Sequence, residues 1–135
     1  MDPISVAVGC GSLISLIAKT SITINSFVRE VRGARADLDA VSRELHSLSN
    51  VLDLLADDGA VQLPEQLTAQ VSSILQNCQG VVAEIEVALK AHAGGGNVKQ
   101  RVGWAWTGHG DMEKLRSSLE AHKSALNIAV DMASL

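Results

Sequence analysis

Four histidines, His46, His92, His109 and His122, and two cysteines, Cys10 and Cys78, are the side chains best suited to hold a metal or act as a nucleophile. A zinc site needs three or four converging ligands, which on a helix means partners three or four residues away. None of the histidines gains such a partner on a helix face: His109 reads as a loop residue between two glycines, and Glu120, near His122, faces elsewhere. Serine is abundant, yet no Gly-x-Ser-x-Gly elbow is present, and the Ser beside glycine in Gly9-Cys10-Gly11-Ser12 lies in an apolar stretch. Gly94-Gly95-Gly96 lacks both a preceding strand and a following Gly-Lys-Ser/Thr, so it reads as a loop rather than a phosphate cradle. No catalytic, cofactor-binding or metal-binding residue is expected, and the chain reads as a non-enzyme.

Trp104 and Trp106 carry almost all of the aromatic mass. At a spacing of two they lie about 200° apart on a helix, so both cannot face one core. In one reading, one ring anchors a short helix while the other lies in an interface, where Trp suits a partner surface or a lipid headgroup region. In the other, both tuck against neighbouring helices.

The elements that must position these residues are helical. Asp2-Pro3 opens a first helix over about 3–32, with Pro at a position where its missing N–H costs nothing. Ile4, Val8, Gly11, Ile14, Ile17/Ala18, Ser21, Ile24, Val28 and Val31 are expected to form its stripe, against a thinner polar line of Ser5, Ser12, Lys19, Ser26 and Arg29. A break at Gly33 leads to a second helix over 35–57, although one long kinked helix over 3–57 is the alternative. Leu38, Val41, Leu45, Leu48, Leu52 and Leu55 form a heptad seam there, with Val51 and Leu54 widening it.

Asp57-Asp58-Gly59 ends that helix, and Leu63-Pro64 opens a third over 64–91 with Leu67, Val71, Ile74, Cys78, Val81, Ile85 and Ala88/Leu89 on its seam. A short helix over 98–107 and a last one over 111–133, capped by Asp111, complete the chain. The last seam is Met112, Leu115, Leu119, His122, Leu126, Ala129 and Ala133. The expected fold is all-α, a single domain over 1–135 built as an antiparallel bundle of four principal helices plus one short helix.

Composition agrees: 47% of residues are hydrophobic but only 2% aromatic, the aliphatic make-up of a helix-bundle core. The net charge of −4 and the scattered basic residues exclude an electrostatic footprint for nucleic acid. Two cysteines in apolar helical patterns predict reduced, buried thiols and an intracellular location. No Lys or Arg precedes the apolar N-terminus, so it reads as part of the mature protein rather than a signal peptide.

That N-terminus is the least ordinary stretch. Between Pro3 and Ala18 there is no charged side chain, and a helix apolar nearly all round is either central to a core or in contact with lipid. It would be about 24 Å long, short of a hydrocarbon core of roughly 30 Å. Extending it to Val28 encloses Lys19, which costs about 2.5–3.5 kcal/mol at mid-bilayer. A lone span is therefore poor, whereas an oligomer with Ser5, Ser12, Lys19 and Ser26 lining a polar interior is feasible. Ser5-x-x-x-Gly9 and Gly11-x-x-x-Ser15 are small-residue pairs that allow close helix approach in lipid or in a soluble core.

The opening MDPISVAVGCGSLISLIAKT, the break near Gly33, the seam ending in ELHSLSNVLDLL, and the late Trp104 followed by MEKLRSSLEAHKSALNIAV together resemble the fungal N-terminal HeLo-like domains of STAND, or NOD-like receptor, proteins. The likeness extends over essentially the whole chain, and Trp106 has no counterpart in that pattern. It implies a helical bundle without cofactor or catalytic residues, acting in programmed cell death or heterokaryon incompatibility. It also implies a cytoplasmic protein that moves to the plasma membrane once a partner receptor or an amyloid motif in the full-length protein clusters it. Homo-oligomers would form, and membrane lipids would be met through Ile4, Val6, Val8, Leu13, Ile14, Leu16 and Ile17, with Trp104 and Trp106 as possible interface residues. The competing expectation is a non-lytic interaction module whose first helix stays buried.

Overall fold

Leucine at nearly every third or fourth position makes the second helix the frame of the core. The computed structural model describes residues 3–31, 33–56, 63–93 and 108–133. Among these residues there are four helices and no strand: α1 (Pro3–Glu30), α2 (Ala34–Leu54), α3 (Glu65–Ala93) and α4 (His109–Ala133). The protein is an all-α four-helix bundle. The short helix expected over 98–107 lies outside the described residues.

α1 and α2 are separate helices. Gly33 has φ 88°, in the left-handed region that L side chains avoid. This turn folds α2 back along α1, so the C-terminal end of α1 around Ile24 and Val28 lies against Arg35, Leu38 and Asp39 near the start of α2. At the other end of α2, Leu55 is fully buried and continues the helical backbone just past Leu54. α3 opens as Pro64 predicts: its carbonyl accepts from the N–H groups of Leu67 and Thr68, both at 3.0 Å. The Thr68 hydroxyl donates to the same carbonyl at 3.1 Å, which satisfies an otherwise buried polar side chain.

α4 departs from expectation, because it begins at His109. Asp111 is therefore not the cap but a first-turn residue, where its carboxylate meets the positive end of the helix dipole.

Each helix packs on two others: α1 on α2 and α3, and α4 on α2 and α3. The bundle is thus two helical hairpins side by side. Consecutive helices within each hairpin run antiparallel, whereas α1 and α3 run parallel. Thr20 meets Glu86, and nearer the start of both helices Gly9 meets Leu75, at the same sequence separation of 66. It follows that α2 and α4 are also parallel.

One core runs through all four helices. From α2 come Leu38, Val41, Leu45, Leu48, Leu52 and Leu55, as the heptads predict, but Leu54 is 60% exposed and does not widen the seam. α3 contributes Val71, Leu75, Cys78, Val82, Ile85 and Leu89, with Leu67, Ile74, Val81 and Ala88 packed at its margin. In α4, Met112, Leu119, Leu126 and Ala129 are buried and Leu115 is half-buried.

The seam of α1 is Val6, Cys10, Leu13, Ile17, Thr20, Ile24, Phe27 and Val31. It shares Ile17, Ile24 and Val31 with the expected stripe, but Val8 and Gly11 point to solvent. With apolar residues on every side, hydropathy alone does not fix the rotational phase of this helix.

Cys10 and Cys78 are free and buried, as expected. Desolvation pushes their thiols up to about 11 and about 12, so both stay protonated and unreactive near neutral pH.

Candidate functional site

The candidate site is α1, whose two sides do different work. Its inner side holds the seam above and reaches α3 at close range. Gly9 faces Leu75, whose Cδ1 would lie 3.4 Å from any added β-carbon, while Gly11 faces open space. The two small-residue pairs thus split: Gly9 serves packing inside the bundle, and Gly11 and Ser15 are exposed.

Half-way along the seam an acidic side chain is drawn into the α1–α3 contact. Thr20 is fully buried, and its hydroxyl donates to Glu86 Oε2 at 2.8 Å. Thr23 donates to Glu86 Oε1 at 2.9 Å and also lies 3.2 Å from the Lys19 carbonyl. A hydroxyl has one proton, and the shorter, charge-assisted contact with the carboxylate is the stronger claim on it. Lys90 Nζ lies 3.6 Å from Glu86 Oε1. Burial raises the Glu86 pKa, but the hydroxyls of Thr20 and Thr23 with the nearby ammonium groups of Lys90 and Lys19 outweigh it, and the carboxyl is held below its usual range. Glu86 is therefore anionic near neutral pH although only 7% of it is exposed.

The outer side of α1 has a different character. Val8, Gly11, Ser15, Ala18 and Ile22 are all exposed at alternating spacings of three and four, and no charge interrupts them. Val8 and Ile22 are 63% and 68% exposed. Beside them Ser12, Lys19 and Ser26 follow one solvent-facing line. Among the described residues, one helix is long and apolar enough to cross a membrane: the stretch Val6–Glu30 in α1, with a mean hydropathy of 1.5. The core helix of a soluble protein meets the same criterion. Here 28% of that stretch is buried, the one side that packs in the core, and the rest of its circumference is half-buried or exposed.

The residues expected to enter lipid divide accordingly. Val6, Leu13 and Ile17 are in the core, Ile14 and Leu16 are half-buried, and Val8 is exposed. Ile4 and Ser5 belong to α1, but their side chains lie outside the described residues, as do Trp104 and Trp106. His46 is exposed, and His92 and His122 are half-buried. His109 is the first residue of α4 rather than a loop residue. Among the described residues no group of three His, Cys, Asp or Glu side chains is placed to hold a metal ion. A groove of about 460 Å³ between α3 and α4, lined by Val87, Ala88, Leu115, Glu84, Asp111 and Lys114, is open to solvent.

Against known proteins, the chain matches over residues 1–135 the family described as pigment biosynthesis cluster protein PigL N-terminal. The chain belongs to that family. No curated protein and no solved structure matches it. For this member of the PigL N-terminal family, Glu86, Thr20 and Thr23 are the polar residues that pattern reading passes over. The available signal was Thr20, a polar residue at heptad spacing from Leu13 and Phe27 on an otherwise apolar seam.

Proposed function

We propose that this domain is a non-enzymatic, membrane-targeting effector of the HeLo-like kind, which promotes fungal cell death by oligomerising and releasing α1 into lipid. The observation that carries the reading is the outer face of α1: an uncharged stripe from Val8 to Ile22 that no other described helix covers. A helix needed only as a quarter of a soluble core has no use for an apolar outer side, and helices of soluble bundles normally carry charge there. The domain waits in the cytoplasm, and its partners are copies of itself, membrane lipids on activation, and a receptor or amyloid motif of the full-length protein.

Release in water alone is too costly. Exposing Val6, Cys10, Leu13, Ile17, Ile24, Phe27 and Val31 would cost on the order of 10–20 kcal/mol at about 1.5–3 kcal/mol per side chain, as much as the whole stability of a typical domain. The bilayer must take up this seam as α1 leaves. Lys19, on the polar line with Ser12 and Ser26, then favours several copies around a shared polar interior over a lone span.

A second reading, a non-lytic association module with α1 permanently buried, is favoured by the continuity of the α1 seam with the core and by its bond to Glu86. Dye release from vesicles separates the two. The effector reading expects the wild type to empty vesicles and Val8→Glu, which changes an exposed residue, to stay folded and lose that activity. An intact bundle that never leaks dye, or a folded Val8→Glu that leaks as well as the wild type, contradicts it. Deleting residues 1–20 is not a useful control, because it removes five core positions from Val6 to Thr20.

A further inference from the structure

We propose that Glu86 is the latch that keeps α1 in the bundle: its carboxylate, paired with the hydroxyls of Thr20 and Thr23, sets how readily α1 exchanges the core of the bundle for lipid. This rests on the membrane reading above and names its restraint. For the side chains of α1 itself the apolar seam does not discriminate, because hydrocarbon receives Val6, Leu13, Ile17 and Phe27 about as well as the other three helices do. Beyond the apolar surface that α1 uncovers on its neighbours, contacts that lipid cannot reproduce distinguish the two locations. Across the α1–α3 contact, the described hydrogen bonds of this kind are Thr20 to Glu86 at 2.8 Å and Thr23 to Glu86 at 2.9 Å.

The division of groups between the helices supports the same conclusion. The charge is on α3, which stays behind and regains water when α1 departs. On α1 the hydrogen-bonding groups at the contact are hydroxyls, with the Lys19 ammonium near enough to act on Glu86. Thr23 already lies 3.2 Å from the Lys19 carbonyl one turn back, so inside a bilayer it has an acceptor on its own helix and needs no outside partner. Had the carboxylate been on α1 and the hydroxyls on α3, departure would drag a charge into hydrocarbon. The arrangement found holds α1 in water and adds no second charge to the Lys19 that α1 takes with it.

The test uses the whole domain with phosphatidylcholine vesicles and reads two quantities: co-sedimentation with the vesicles and release of trapped dye. Glu86→Gln keeps the shape of the side chain and removes its charge, and Thr23→Val removes one donor at a half-buried position, so it keeps the question open if Glu86→Gln fails to fold. Leu119→Ala, in the core of α4, is the control for general destabilisation. The latch predicts that Glu86→Gln half-saturates at about tenfold less lipid than the wild type and Thr23→Val at a few-fold less, with Leu119→Ala unchanged. Equal sedimentation of wild type and both latch variants overturns it, and so does an equal gain in Leu119→Ala. Tighter sedimentation of the latch variants without dye release upholds the latch and refutes the lytic function, so the two failures are distinguishable.

Discussion

The two parallel helix pairs of the bundle use one geometry for different ends. In the α2–α4 pair, most exposed positions are polar or charged, among them Asp39, Arg43, His46, Asn50 and Asp53 on α2 and Glu113, Lys114, Glu120 and Asp131 on α4, with Leu54, Ile128 and Met132 as apolar exceptions. Arg116 bridges Glu113 and Glu120 along the surface of α4. The pair is also joined by Lys123 and Glu44, whose atoms Nζ and Oε2 lie 2.9 Å apart as an ion pair rather than as an aligned hydrogen bond. This is how a soluble bundle is ordinarily built, apolar inside and charged outside. In the α1–α3 pair the inner seam is just as complete, but the outer face of α1 has Val8, Gly11, Ser15, Ala18 and Ile22 where charges would be expected. The difference teaches that the core accounts for the inner face of α1 only, which leaves its outer face as the part in need of a functional explanation.

The largest expected effects probe whether the two pairs share one core. Leu13→Ala in α1 and Leu48→Ala in α2 remove fully buried side chains and should each lower unfolding free energy by about 2–5 kcal/mol in a denaturant titration. A cost below about 1 kcal/mol for Leu13→Ala alone would mean that α1 is only loosely attached, and the comparison would fail. Next come the polar ties. Glu86→Ala leaves the buried Thr20 hydroxyl without its acceptor and should cost about 1–3 kcal/mol, whereas Lys123→Ala, which loosens a partly exposed pair, should cost about 1 kcal/mol or less.

The pH dependence sharpens the same contrast. Because the folded state depresses the Glu86 pKa below its ordinary 4.5, the stability it contributes is fully present above that value. It is lost as the pH falls through the lower folded pKa. Denaturation midpoints measured from pH 7 down to 3 should therefore fall less steeply in Glu86→Gln than in the wild type; parallel curves would remove Glu86 from the account. A smaller effect tests the hinge of the first hairpin: Gly33→Ala, forced to φ 88°, should cost about 1 kcal/mol, measured as a lower melting temperature.

How much of this was legible in the sequence differs between the same two regions. The α2 seam could be read directly, since Leu and Val recur where the core needs them and charges fill the gaps, and Gly33 marked the turn. For α1 the helix was legible but not its rotation, because a helix apolar on all sides offers no contrast from which to choose a phase. The stripe through Val8 and Gly11 thus lay on the solvent side. Glu86 was hidden for the opposite reason. A lone carboxylate next to Ile85 on a polar-flanked helix reads as surface, and only the register between α1 and α3, a long-range property, brings Thr20 and Thr23 to it. The start of α4 was misread because Gly108-His109-Gly110 resembles a breaker, whereas glycine near a helix N-terminus is tolerated far better than in its interior.

The most direct test of the central claim sets one exposed apolar residue of α1 against one of α2. Val8→Glu and Leu54→Glu alter side chains that are 63% and 60% exposed, so both variants should keep wild-type stability within about 0.5 kcal/mol. In a vesicle dye-release assay at matched protein and lipid concentrations, the account predicts that Val8→Glu loses release while Leu54→Glu retains it. Equal release by the two folded variants would contradict the assignment of α1 as the membrane-active helix.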